Sequence, residues 1–237
     1  MFGRIGVIAA AALAIGVACG GSSSPVAVKA PAGVTANILA SGRIDSIPAG
    51  TLFVNYLELP QAAAGSIKHK HLAGFVYATS GTVEIDVDNA SPLIVQPGKA
   101  AFIGANVMHN HLNSGSSGND WMFVALRPMA SRPLATIVAG QKELFTTGTL
   151  TQITAGQYTE TLSDSMLPAN GVDVQTGPSL RVLYVLDGYM IVSGDALMAG
   201  SLVVGDGAYS LPGANLKVTA GPTGAHYLVF TLTPANS

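Results

Sequence analysis

Four of the five histidines in this 237-residue chain fall in two H-x-H triplets, His69-Lys70-His71 and His109-Asn110-His111. In a β-strand, side chains two apart leave on the same face, so each triplet can present two imidazoles to one point. Imidazole is the commonest protein ligand for iron, zinc, copper and nickel. Two strands that each aimed such a pair inward would make a metal site.

The elements that must position these rings are strands. Residues 51–59 read as a strand ended by Pro60, and 75–79 as another ended by Ser80-Gly81. Residues 83–88 alternate apolar with acidic, which puts Val83, Ile85 and Val87 inward. Pro97-Gly98 marks a turn, and 121–126 is a closing strand before Arg127-Pro128. Short strands at this spacing predict an all-β sandwich or barrel. The one helical stretch expected, 131–139, would link two halves.

The second half repeats the first. Residues 76–81, Val-Tyr-Ala-Thr-Ser-Gly, match 183–188, Leu-Tyr-Val-Leu-Asp-Gly, and Gly104-Ala105-Asn106-Val107 matches Gly213-Ala214-Asn215-Leu216. Residues 113–128 run without a gap along 219–234. The chain therefore carries two copies of one β-module. The second lacks the triplets: Thr176 and Pro178 align with His69 and His71, and Val218 with His109. His226, the fifth histidine, falls on Asp120.

Charged residues are only 10% of the chain and the net charge is -2, which speaks against a nucleic-acid partner. Apolar residues make up 49%, with 28 glycines and 13 prolines scattered through the chain, a composition for many short strands and tight turns. At the start, Arg4 precedes an apolar and glycine run over 5–18 that is shorter than the ~20 residues of a comfortable bilayer span. It reads as a secretory leader cut before Cys19, the only cysteine, which the Gly-Gly-Ser-Ser-Ser tether follows. Gly16 replaces the usual branched residue of a lipoprotein signal, while Val17 and Ala18 fit. The expectation is export to the periplasm or cell surface, with membrane anchoring through a lipidated Cys19. The other reading is an ordinary cleaved leader.

Gly65-Ser66-Ile67-Lys68-His69-Lys70-His71, then Tyr77 and Gly81, Pro97-Gly98, and finally His109 and Asn113, resembles the paired motifs of the cupin superfamily. The two-copy arrangement is similar to a bicupin. The resemblance implies two double-stranded β-helix, or jelly-roll, barrels: a signal peptide over 1–18, a tether over 19–36, a metal-binding barrel over 37–130, a linker over 131–148, and a degenerate barrel without a metal site over 149–237. It implies His69 and His71 as first-motif ligands and His109 as the second-motif ligand. His111 has no regular counterpart in the family. The family's first motif usually carries a glutamate ligand as well. Its place here is at or near Gly74, which speaks against carboxylate-dependent chemistry such as oxalate-type decarboxylation.

Neutral imidazoles alone would leave the charge of a divalent metal (Fe, Zn, Ni, Cu or Mn) uncompensated, which favours an anionic or chelating small molecule as partner. His111 faces as His109 does. It is either a fourth ligand or a donor beside the ligands, and it is the candidate for acid–base catalysis. Glu58 and Glu84 alternate with apolar neighbours and are expected to face solvent. Tyr56, Phe75, Tyr77, Phe102 and Trp121 are wall or core candidates, Asn113 is expected to satisfy backbone, and Arg181 is either a surface residue or an anion receiver. Three functions follow: an exported metalloenzyme of dioxygenase, lyase or isomerase type, a non-catalytic binding barrel, or a structural pair of barrels. A homodimer through sheet edges is compatible with each.

Overall fold

Some central strands of this protein are apolar on both faces. Along residues 52–61, Val54 and Tyr56 are buried on one side, and Leu57 and Leu59 on the other. A strand enclosed on both sides reads as a continuous hydrophobic run, whereas a half-exposed one alternates. The reason lies in the packing of two barrels against each other.

The computed structural model describes residues 33–47, 50–87 and 90–235. The expected leader, Cys19 and most of the expected tether lie outside the described residues. Among those described, no helix is long and apolar enough to cross a membrane. The first half holds β1 (Thr35–Ile47), β2 (Leu52–Gln61), β3 (Ser66–His69), β4 (Gly74–Ser80), β5 (Val83–Val87), β6 (Leu93–Val95), β7 (Ala100–Ile103), β8 (His109–Leu112) and β9 (Asn119–Pro128). The second holds β10 (Lys142–Thr146), β11 (Gly156–Leu167), β12 (Val172–Gln175), β13 (Leu180–Gly194), β14 (Gly200–Val203), β15 (Gly207–Ser210) and β16 (Leu216–Pro234).

In the first barrel a five-stranded sheet, β10-β2-β9-β4-β7, faces a four-stranded sheet, β3-β8-β5-β6. In the second, the long strands β13 and β16 bend and serve both layers. β16 pairs first with β12 and the far end of β13, then with β11 and the near end of β13. Gly81 and Gly188 mark the equivalent bend, with φ of 62° and 80°, where a residue with a Cβ would be strained. The chain breaks into β4 and β5 at the first and runs through at the second.

The halves exchange strands. All but the first two residues of β1 lie in the 37–130 segment, yet it pairs antiparallel with β11 of the second barrel, from Thr35↔Met166 to Ile47↔Gly156. β10 comes from the 131–148 linker and pairs with β2 of the first. The helix expected over 131–139 does not form; only a single 3-10 turn, Met129–Ser131, precedes it. Pro133 holds Arg132 extended, at φ -86° and ψ 141°, and Leu134 and Val138 pack on the first barrel's interior instead.

Three apolar clusters result. One fills the first barrel, with Leu57, Leu59, Val76, Ile85, Trp121 and Phe123. A second fills the other barrel, with Leu183, Val185, Val192, Tyr227 and Val229. The third lies between them and joins Val54, Tyr56, Phe75 and Val124 to Leu162, Val182, Tyr184 and Phe230. Alternate residues of β2, β4 and β9 serve the first and third clusters in turn, which is the two-residue period of a strand used twice.

Candidate metal centre

β3 and β8 pair antiparallel with His69 opposite His109 and Ile67 opposite His111. His71 stands two residues past the end of β3. This register brings all four imidazoles of the triplets to one place. Ring centroids lie 4.6 to 5.1 Å apart for His69–His71, His69–His109, His69–His111, His71–His109 and His109–His111. One ring nitrogen from each lies within 4.8 Å of the others. Trp121 stacks on His111 at 4.2 Å and 19°, and Phe123 lies against His71 at 4.1 Å.

The other aromatic candidates sit elsewhere. Tyr56, Phe75 and Tyr77 occupy the inter-barrel core, and Phe102 packs against it. They fall on the strand face that leaves the barrel, opposite in parity to Trp121. Tyr56 donates a hydrogen bond to the carbonyl of Val182 in the second barrel at 3.0 Å. Asn113 satisfies backbone as expected, donating to the carbonyls of Ala62 and Ser117 and accepting from the Gly115 N–H. Glu58 pairs with Lys142 at 3.3 Å, and neither Glu58 nor Glu84 enters the cluster.

The nitrogen atoms indicate what the cluster is for. His109 Nδ1 lies 2.8 Å from the Val107 carbonyl, and His71 Nδ1 contacts the Leu72 carbonyl. Each carbonyl fixes a proton on Nδ1 and leaves the Nε2 lone pair aimed inward. His71 Nε2, His69 Nδ1 and His111 Nδ1 are buried with no hydrogen-bond partner. His109 Nε2 and His111 Nε2 face each other at 3.0 Å. Each orphaned polar atom costs about 1–3 kcal/mol. Burial pushes His69 down to about 4 and His71 to about 3, with repulsion from His109 adding to both. Burial also lowers His109 and, strongly, His111. All four rings are therefore neutral near pH 7, the state a metal requires. A divalent transition metal fits this donor set, with one ring nitrogen from each histidine close to the others, and would give an inward lone pair such as that of His71 Nε2 a partner.

No carboxylate joins the four rings among the described residues. A Cβ on Gly74 would lie 2.7 Å from Phe123 Cζ, 2.7 Å from the Val124 carbonyl oxygen and 2.9 Å from Ala125 Cβ. The space that a carboxylate ligand would need is filled by the phenyl ring that packs on His71.

The second barrel shows the same frame without the site. The Asn113 N–H bonds the Gly65 carbonyl as the Ala220 N–H bonds that of Gly171, and Asn106 to His71 repeats as Gly213 to Gly177. These contacts correct the repeat alignment. Gln175 and Gly177 stand where His69 and His71 stand, and Leu216 and Val218 where His109 and His111 stand, because strand register and not residue likeness sets the match. Arg181, opposite Ser210, replaces Gly74, opposite Ile103. Its guanidinium donates to the carbonyls of Thr176 and Ser179, and buried Asp173 provides the countercharge. An arginine side chain is thus built in where the first barrel gathers its imidazoles.

A cavity of about 330 Å³ opens beside His69 and His71, between Trp121, Phe123, Leu57, Leu59 and the linker residues Leu134 and Ile137. Arg127 and Lys70 are its charged residues. His109 and His111 lie behind its wall, and His111, the candidate for acid–base work, is fully buried. Phe123 and Arg127 escaped the sequence reading. The signal was their two-residue spacing from Trp121 along β9.

No known family's sequence model matches this chain, and no curated protein matches it. Solved structures do. AerE from Microcystis aeruginosa superposes with a TM-score of 0.52 at 13% identity, over 76% of this chain and 87% of that one. Procruciferin, an 11S globulin from Brassica napus, gives 0.52 at 9% over 82% and 84%. Salicylate 1,2-dioxygenase from Pseudaminobacter salicylatoxidans gives 0.50 at 12% over 76% and 70%. The fold is of the cupin type. A dioxygenase and a globulin share it, so the cupin architecture alone does not decide what this chain does.

Proposed function

We propose that this cupin is an exported, metal-dependent enzyme acting on a small molecule, with dioxygenase-, lyase- or isomerase-like chemistry in its first barrel. The observation that carries this reading is the convergence of His69, His71, His109 and His111, all neutral and three of them with a buried ring nitrogen that lacks a partner, beside a cavity. A bound divalent transition metal would supply Lewis-acid polarisation of a substrate oxygen and, if redox-active, electron transfer. The protein's own groups do the rest. The Leu72 and Val107 carbonyls orient two of the rings. Trp121 and Phe123 hold His111 and His71 in place and keep water from the back of the site. In this reading His111 serves as the fourth ligand, since its burial behind the cavity wall removes it from a substrate's reach.

Purified protein should hold about one equivalent of transition metal, and His69→Ala with His71→Ala should abolish it. Elemental analysis decides: an empty wild-type protein refutes the reading, and a ratio near two refutes the single-site assignment. A second reading, a barrel that binds a small molecule without turning it over, is favoured by one observation. Among the described residues, no carboxylate lines the cavity to move a proton. Product formation from diketones, phenols or hydroxy acids supports the enzyme, and its absence across that panel favours the binding barrel. Export and anchoring are read by mass, diacylglycerol on Cys19 being the expected mark.

A further inference from the structure

We infer that Arg127 receives the carboxylate of the ligand, and that the ligand is a small monocarboxylate with an apolar body. Arg127 leaves β9 on the same face as Trp121 and Phe123 and lines the cavity with His69 and His71. Its side chain is oriented before any ligand arrives. Nε donates to Asn55 Oδ1 at 2.9 Å, and the guanidinium carbon lies 5.3 Å from the Phe123 ring centroid. Asn55 is fully buried and itself donates to Glu143 Oε1 at 3.3 Å. Glu143 is in turn gripped by both terminal nitrogens of Arg132, at 2.7 and 2.8 Å.

That chain of contacts spends the nearby carboxylate on Arg132. Arg127 keeps a cation at the cavity wall with an amide, not a carboxylate, as its hydrogen-bonded partner. The Glu143 charge still acts on Arg127, but without a direct bond and shared with Arg132, and a planar bidentate carboxylate is the group the fork of a partly desolvated guanidinium matches best. Among the described residues no acidic side chain lines the cavity to compete, and Lys70 in its lining adds a second positive charge. Apart from the imidazoles, the remaining walls are leucine, isoleucine, alanine, phenylalanine and tryptophan, with one hydroxyl, Ser131, that already donates to the Pro128 carbonyl at 2.7 Å; they suit a hydrocarbon body. About 330 Å³ is at the small end of ligand pockets. As a ligand of the proposed metal site this assignment rests on that reading, although the contact to Arg127 can be measured separately from the metal.

Trp121 is the only tryptophan in the chain and lines this cavity, so its fluorescence reports occupancy. The test titrates the full chain with phenylacetate and hexanoate and with the neutral phenylacetamide and hexanamide, once loaded with zinc and once stripped by chelator. Saturable changes are expected with the acids, and at least about tenfold weaker binding of the amides. Arg127→Gln should weaken the acids by about tenfold or more while leaving the zinc content unchanged, and Arg127→Lys should recover part of the loss. Equal binding of acid and amide, undiminished acid binding in Arg127→Gln, or no response to either acid overturns the assignment. Arg127-dependent acid binding by a protein that takes up no zinc upholds it while refuting the metal site. If Arg127→Gln unfolds, Arg127→Lys with the acid–amide comparison decides alone.

Discussion

At the scale of single residues, the four histidines and Gly74 define the centre in opposite ways. The rings are drawn together by the His69↔His109 register, and the glycine excludes the ligand that would have completed the usual set. Gly74 is required by close approach: Phe123 and the Val124 carbonyl occupy what a side chain there would need. Gly74→Glu should therefore fail to restore a carboxylate ligand. The expected result is a destabilisation of at least about 1–3 kcal/mol, read as a lower urea midpoint. A stable variant with tighter metal binding would show that Phe123 yields its place. The pairing of imidazoles was legible from H-x-H spacing, because a period of two is a local property. The aromatic lining was not, because which face of a strand meets the site and which meets the other barrel depends on partners far along the chain.

At the scale of elements, the exchange of β1 and β10 ties the two barrels together. β1 closes the edge of β11 and crosses over the first barrel's Phe102, and Gly42 makes that crossing possible. A Cβ at position 42 would lie 2.1 Å from the Phe102 ring. Gly42→Ala should cost about 1–3 kcal/mol, and Phe102→Leu in the same chain should recover much of it. Additive effects in a thermal-melt double-mutant cycle would deny that the two elements touch. Strand existence could be read from alternation and turn residues, and the repeat from residue likeness. Strand exchange could not, since β1 carries no local mark of which sheet it joins. The helix expected over 131–139 failed for a similar reason: tertiary contacts of Leu134 and Val138, together with Pro133, outweigh a weak local preference.

At the scale of the molecule, buried titratable groups set opposing pH limits on the metal-free protein. His69 and His71 have ordinary values of 6.5 and folded values of about 4 and 3. Between those values the unfolded chain binds more protons, so stability falls as pH drops from about 6.5 toward 3. Glu160 acts in the other sense. Both its carboxyl oxygens are buried on β11 without a partner, and burial raises it from 4.5 to about 8. Here the folded state keeps a proton that the unfolded chain loses, so stability falls as pH rises from about 4.5 through 8. Melting the metal-free protein across this range should show both limbs. Glu160→Gln should flatten the alkaline limb and leave the acid limb unchanged. An unaltered alkaline limb would remove Glu160 as its cause. Because the apolar layer between the barrels is shared, both should melt in one transition.

The order of residues already carried the strands, the duplication, the loss of histidines from the second copy and the capacity of the two triplets to offer paired imidazoles. All of these are written in composition and short-range periodicity. It took the fold to show that His111 stands beside the other three imidazoles, that Phe123 fills the space above Gly74, that Arg181 holds the equivalent place in the second barrel, and that Arg127 faces the cavity. Each depends on the register between strands distant in sequence. A shift of one residue in that register turns a side chain from the barrel interior to the opposite face.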